Sequence, residues 1–206
     1  MIELFLSAFV TLFVVIDPPG CAPIFYGLTT GASPEQRKRM AIRAVIIATC
    51  ILLGFAVVGE DFLRVLGISL EAFRIAGGIM LFFIAMDMVF EKRTQRREDR
   101  VQKVKETPEI EDVSVFPMAM PMIAGPGSIA TIMLLMARAQ GPEQSFIVLA
   151  ALGANLVLMI IALLAVGPIM RLFGGQVEAV ITRLLGVILA ALAVQFVLDG
   201  LRGSIL

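Results

Sequence analysis

Asp17-Pro18-Pro19-Gly20 interrupts the first long apolar run of the chain, and Gly125-Pro126-Gly127-Ser128 interrupts another about a hundred residues later. A proline inside a helix removes one hydrogen bond and blocks another carbonyl, at a cost of about 3 kcal/mol. A carboxylate at the centre of a membrane span costs roughly 2.5–3.5 kcal/mol more. Lipid offers no water to the backbone groups that such a break frees, so the break must be buried in protein or line a cavity. Each break also creates two kinds of site. The helix that ends there presents carbonyls, which suit a cation or an ammonium group. The helix that begins there presents amides, which suit a carboxylate. Two facing breaks would offer both environments to one zwitterion.

The residues that carry this chemistry are Asp17, Pro19 and Gly20 at the first break and Gly125, Pro126, Gly127 and Ser128 at the second. Thr131, one turn further, could add a hydroxyl. Thr49 and Asn155 stand at nearly matching places in two other apolar runs and could line the same cavity, although polar side chains in membrane helices just as often hold helices together. Gly77, Gly78 and Gly186 suit close helix packing better than ligand contact. A short Pro-Gly pair alone reads as an ordinary kink, since both residues are frequent in membrane helices. The charge at Asp17 and the second copy favour a binding site.

The elements that must position these residues follow from composition. Of 206 residues 59% are apolar, and the mean hydropathy of +0.95 is that of a polytopic membrane protein. About twenty helical residues cross a bilayer core, and six segments qualify: about 4–30, 36–58, 69–90, 114–137, 145–170 and 179–200. The opening MIELFLSAF lacks a basic leader and a small-residue cleavage site, and reads as a retained first span. Thirteen of the seventeen basic residues fall in the loops after spans one, three and five. The positive-inside rule then puts both termini outside the cytoplasm. Glu60 and Asp61 are expected in an extracytoplasmic loop, and the charged stretch 91–112 as a solvated cytoplasmic helix or linker. There is no His, no CxxC spacing for Cys21 and Cys50, and no GxxxxGK[ST] loop, so no metal, cofactor or direct use of ATP is indicated. A net charge of zero gives no nucleic-acid patch.

The chain also resembles itself. DPPGCA at 17–22 lies over AGPGSI at 124–129, SPEQ at 33–36 over GPEQ at 141–144, LRVLG at 63–67 over MRLFG at 170–174, and FRIAGGIM at 73–80 over TRLLGVIL at 182–189. The order is conserved between halves and the offset is nearly constant. Three spans per half is an odd number, so the second half must enter the membrane the opposite way round. The expected fold is therefore an all-α integral membrane protein of six transmembrane helices, built as two inverted three-helix repeats with spans one and four broken at the Pro-Gly motifs. The repeats would occupy 1–90 and 113–206, with 91–112 between them. At the span boundaries, Ser33, Pro34 and Gln36 form a capping-box pattern, and Gly141-Pro142-Glu143 does similar work for span five.

DPPGCAPIF, SPEQRKRMAIRA, FRIAGGIMLFFIAMDM and PMAMPMIAGPGSIATIM together resemble the MarC family of bacterial inner-membrane proteins, which includes neutral amino acid transporters of the SnatA type. The resemblance covers nearly the whole chain. It implies six spans in a bacterial inner membrane and, for some members, transport of small neutral amino acids such as glycine or alanine. The family's first motif falls on Asp17, Pro19, Gly20 and Pro23, and its second on Gly125, Pro126, Gly127, Ile129 and Thr131.

The leading expectation is a secondary transporter or exporter of small neutral amino acids, not an enzyme. Asp17 and neighbouring carbonyls would hold the ammonium group or a coupling proton or sodium ion, and the amides of Gly127 and Ser128 the carboxylate. The two repeats would rock against each other. Without His, proton coupling would need a carboxylate, and Asp17 is the obvious carrier. An ion or small-solute channel could use the same breaks. A membrane thiol-disulfide relay would need a thiol facing Cys21, and the repeat has Ser128 there. An oligomer is compatible with the sequence, but the faces are too uniformly apolar to nominate one.

Overall fold

The structure is a computed structural model that describes residues 1–29, 31–90 and 112–205, without the side chains of 166–179, 181–182 and 205. Eight helical elements follow in order: α1 (Ile2–Ile16), α2 (Pro18–Leu28), α3 (Pro34–Val65), α4 (Leu70–Val89), α5 (Ser114–Ile123), α6 (Pro126–Arg138), α7 (Pro142–Leu164) and α8 (Val166–Ile205). No strand occurs among the described residues. Five spans are long and apolar enough to cross a membrane, Ile2–Leu28 counting as one. A sixth is obtained if α5 and α6, bent by 51° at their junction, count as one span. The charged stretch expected as a linker lies outside the described residues except for Asp112, which pairs with Arg43 and accepts the Ser114 amide at 3.0 Å.

The helix starts are chemically explicit. Ser33 accepts the Gln36 amide at 3.2 Å while Gln36 Oε1 accepts the Ser33 amide at 2.9 Å, with Pro34 in the first turn. The capping box read from the sequence is thus present. In α7, Pro142 again occupies the first turn, and Gln144 Oε1 accepts the Gln140 amide at 2.8 Å. Two boundaries differ from expectation. Glu60 and Asp61 belong to the last turns of α3, where Arg64 pairs with both, and the chain turns only after Val65. These i,i+3 and i,i+4 pairs let a charged sequence continue a helix that hydropathy alone would end. The fifth span stops at Leu164, and the chain re-enters a helix after the single residue Ala165.

Buried apolar side chains fall into two groups. The larger joins α1, α2, α3, α5, α6 and α7, with Leu12, Ile16, Phe25, Leu52, Met118, Leu152 and Met159 at its centre. The smaller joins α4 and α8 through Leu81, Ala85, Met88, Leu189, Ala193 and Phe196, and receives Val14 and Val15 of α1 and Leu134 of α6. The expected packing role of Gly78 and Gly186 is clear here: a Cβ on Gly78 would meet the Ala193 carbonyl oxygen at 2.8 Å, and one on Gly186 the Ala85 carbonyl oxygen at 3.1 Å. Gly77, on the adjoining face of α4, lies against Ala130 and Leu134 of α6.

Candidate functional site

At the first interruption one residue separates two helices. Asp17 is fully buried and left-handed, with φ 55° and ψ 64°. Aspartate is one of the few non-glycine residues that takes this conformation readily. Its amide closes α1 on the Phe13 carbonyl at 2.9 Å, and its own carbonyl accepts the Cys21 amide at 3.0 Å. Its Oδ1 accepts the Gly20 amide at 3.1 Å. Pro18 and Pro19, in the first turn of α2, have no amide hydrogen to place. The amide end of α2 is therefore closed by Asp17 itself, which acts as its N-cap.

The same prolines act on α1. In an uninterrupted helix the amides of residues 18 and 19 would bond the carbonyls of Val14 and Val15. Proline supplies neither donor, and both valines are buried. The carbonyl end of α1 is thus electron-rich and short of intrahelical donors.

The second interruption is built differently. α5 is a wide, irregular segment in which Met118 bonds back to Val113 at 3.2 Å and Ala124 to Ala119 at 2.9 Å, with extended backbone at Phe116 and Met120. The peptide bonds Phe116-Pro117 and Met120-Pro121 are cis. α6 then starts from Gly125, with Pro126 in its first turn and no side chain capping it. Ile129 bonds the Gly125 carbonyl at 3.0 Å, which leaves the amides of Gly127 and Ser128 as the uncapped donors of that turn. The sequence aligns Ala124 with Asp17, so the carboxylate that closes the first helix start is missing from the second. A Cβ on Gly125 would fall 2.3 Å from the Pro121 carbonyl oxygen, so only glycine fits.

The two interruptions meet. A Cβ on Gly127 would lie 3.5 Å from Val15 Cγ1, 3.3 Å from Leu81 Cδ2 and 2.7 Å from Ile84 Cδ1. The first turn of α6 therefore packs on the Val15 side chain in the last turn of α1, walled by two side chains of α4. Gly20, Gly125, Gly127, Ser128 and Thr131 are buried, Pro19 is half-buried and Pro126 is exposed. Thr131 Oγ1 is buried with no hydrogen-bond partner. Helical side chains lean toward the N-terminus, so Thr131 covers the turn of Gly127 and Ser128.

Two expected lining residues stand elsewhere. Asn155 Nδ2 donates to the Phe9 carbonyl at 3.1 Å and to Ala151 at 2.9 Å, leaving Oδ1 buried without a partner. Phe9 precedes Asp17 by two helical turns, about 12 Å along the axis, so Asn155 joins α7 to α1 away from the break. Thr49 is half-buried and donates to the Val45 carbonyl of its own helix at 2.7 Å. Cys21 is buried with its thiol on the Ile16 carbonyl at 3.5 Å, and Cys50 is exposed. The contributions of the Val14 and Val15 carbonyls and of Leu81 and Ile84 were not singled out from the sequence. For the carbonyls a signal existed, four residues before each proline. The α4 walls had none.

The model of MarC family integral membrane proteins matches residues 2–205. The chain belongs to the MarC family. It is therefore a multi-pass integral membrane protein. This MarC-family chain is 37% identical over 205 residues to a UPF0056 membrane protein of Methanocaldococcus jannaschii, covering 100% of this chain and 99% of the relative. It is 38% identical over 202 residues to one of Archaeoglobus fulgidus, covering 97% and 93%. It is 36% identical over 203 residues to the UPF0056 membrane protein YvbG of Bacillus subtilis, covering 98% and 96%. MarC relatives thus occur in archaea as well as bacteria. No solved structure matches the chain.

Proposed function

We propose that this MarC-family protein is a secondary transporter of small neutral zwitterions, of the glycine and alanine class, in the cytoplasmic membrane with both termini outside. The observation that carries the reading is the packing of the uncapped first turn of α6, at Gly127, on the Val15 side chain, in the last turn of α1 where Pro18 and Pro19 leave carbonyls short of donors. The solute's carboxylate would take the Gly127 and Ser128 amides with the Thr131 hydroxyl. Its ammonium group would take the Val14 and Val15 carbonyls and the negative charge of Asp17. Val15, Leu81 and Ile84 crowd the turn and favour a solute with little or no side chain. The reading also treats the two interruptions as breaks in the middle of spans one and four of an inverted repeat. The matching Pro and Gln chemistry at the starts of α3 and α7 supports that symmetry.

The test is thermal unfolding of the purified protein against glycine, alanine, serine and larger amino acids, at two pH values, with and without sodium. Asp17→Asn and Thr131→Val are measured alongside. Stabilisation by small zwitterions that both variants weaken is the expected result. Indifference to every amino acid in all conditions would remove the zwitterion reading and leave a channel or another solute.

A further inference from the structure

The contact pattern divides the bundle along a line that cuts across both repeats. α4 and α8 run antiparallel and approach closely along the length of α4, from Gly186 to Gly203 of α8. A Cβ on Gly200 would meet the Glu71 carbonyl oxygen at 2.9 Å and Ile75 Cγ1 at 2.7 Å. Gly78 sits on Ala193 and Val197 in the middle, and Gly186 on Ala85 and Met88 at the other end. Small residues at each level let the two helices approach closely and share van der Waals contact throughout. The pair supplies most of one apolar cluster, distinct from the one that unites α1, α2, α3, α5, α6 and α7.

α4 also packs on α6, and α8 on α1 and α2, but each of these contacts is less extensive than that of α4 with α8. Val14, Val15 and Leu134 are the buried side chains from α1 and α6 that enter the pair's cluster. α6 itself is held on the other side, where Met133 covers Gly59 of α3 and Ile132 and Leu135 join the larger cluster. α4 leaves α3 through a short turn in which Gly67 has φ 70°, and α8 leaves α7 at Ala165. A polar tie bridges the seam. Arg138, at the end of α6, pairs with Asp199 of α8 and lies 5.0 Å over the Phe196 ring, while Gln195 donates to the same carboxylate at 2.6 Å. The Arg138 and Asp199 side chains are 36% and 25% exposed. The pair is thus not sealed inside the bundle.

We infer that α4 and α8 move as one rigid body against α1, α2, α3, α5, α6 and α7, and that Arg138–Asp199 is the latch that holds this body closed. The moving unit takes one helix from each sequence repeat, so the halves of the chain do not rock against each other as units. The seam passes Val15 and Gly127, so its movement would cover and uncover the meeting point of the two interruptions. Packed helices that slide along smooth contacts while each keeps its internal packing are a known mode of conformational change.

The experiment reads distances and needs no solute. Spin labels are placed on exposed positions in a Cys21→Ala, Cys50→Ser background, and the protein is held in lipid nanodiscs. One pair spans the proposed body, Phe83→Cys with Val187→Cys. The other crosses the seam, Val57→Cys with Val187→Cys. Each pair is measured with the native latch, with Arg138→Gln and with Asp199→Asn. The Phe83–Val187 distribution should stay single and unchanged in all three. The Val57–Val187 distribution should gain a second population in both latch variants. A Phe83–Val187 distance that shifts with the latch would overturn the rigid body. A Val57–Val187 distance unchanged in both variants would overturn the latch. If one variant does not fold, the other gives the same reading.

Discussion

The Gly20 amide donates to Asp17 Oδ1 at 3.1 Å, so the residue that interrupts the first span also closes the helix that follows it. The arrangement separates two properties of Asp17 that a single substitution normally confounds. A carboxamide keeps the acceptor for Gly20 and tolerates the left-handed backbone, but removes the charge.

Asp17→Asn should therefore unfold within about 1 kcal/mol of the native protein, whereas Asp17→Ala loses the cap and the favourable left-handed residue together. The expected cost for alanine is about 1–3 kcal/mol. Denaturant or thermal unfolding in a fixed detergent compares the two. Equal losses for both variants would mean that the charge, not the cap, holds the break.

Gly125 and Gly127 are two residues apart but should respond very differently to alanine. At Gly125 the new Cβ meets a backbone oxygen at 2.3 Å, which cannot withdraw without moving the chain. At Gly127 it meets the tip of Ile84, which can turn away. Gly127→Ala is expected to cost about 1–3 kcal/mol and to weaken solute binding. Gly125→Ala should fail to give a folded, monodisperse protein, as read by size-exclusion chromatography.

The glycines of α3 and α7 supply a control. Gly54 and Gly153 have nothing within 4 Å of an added Cβ. Alanine there should leave stability unchanged or raise it by about 0.4–1 kcal/mol through the unfolded chain. Gly78→Ala and Gly200→Ala push against carbonyl oxygens across the α4–α8 contact and should lower the melting temperature clearly.

Arg37 holds the end of α2 in three ways. Its Nε donates to Thr29 Oγ1 at 3.0 Å, its Nη2 to the Thr29 carbonyl at 2.9 Å, and its guanidinium lies 5.0 Å over the Tyr26 ring. Arg37→Gln should cost about 1–3 kcal/mol, the range for hydrogen bonds to charged groups. Arg37→Lys should recover little, because an ammonium group cannot reproduce the planar fork. Full rescue by lysine would show that charge alone holds this end.

Local chemistry explains what could be read in advance. Long apolar runs mark spans because a bilayer admits little else. Ser33 and Gln36 mark a helix start because their bonds reach only three residues. Glu60 and Asp61 misled because hydropathy registers their charge but not the Arg64 that neutralises it within the same helix. The repeat position of Asn155 suits either lining a cavity or tying helices together, and its bond to the Phe9 carbonyl, 146 residues away, is of the second kind.

The sequence by itself determined the membrane class, the span count to within the bent fourth segment, the two interruptions and the capping residues, because each follows from interactions within a few residues of chain. Tertiary structure alone decided that Gly127 rests on Val15, that Leu81 and Ile84 wall the contact, and that α4 pairs with α8. Those facts depend on which apolar faces pack together. In a chain where nearly every face is apolar, hydrophobic pattern cannot choose among them; the shape of small residues and a few buried polar bonds do.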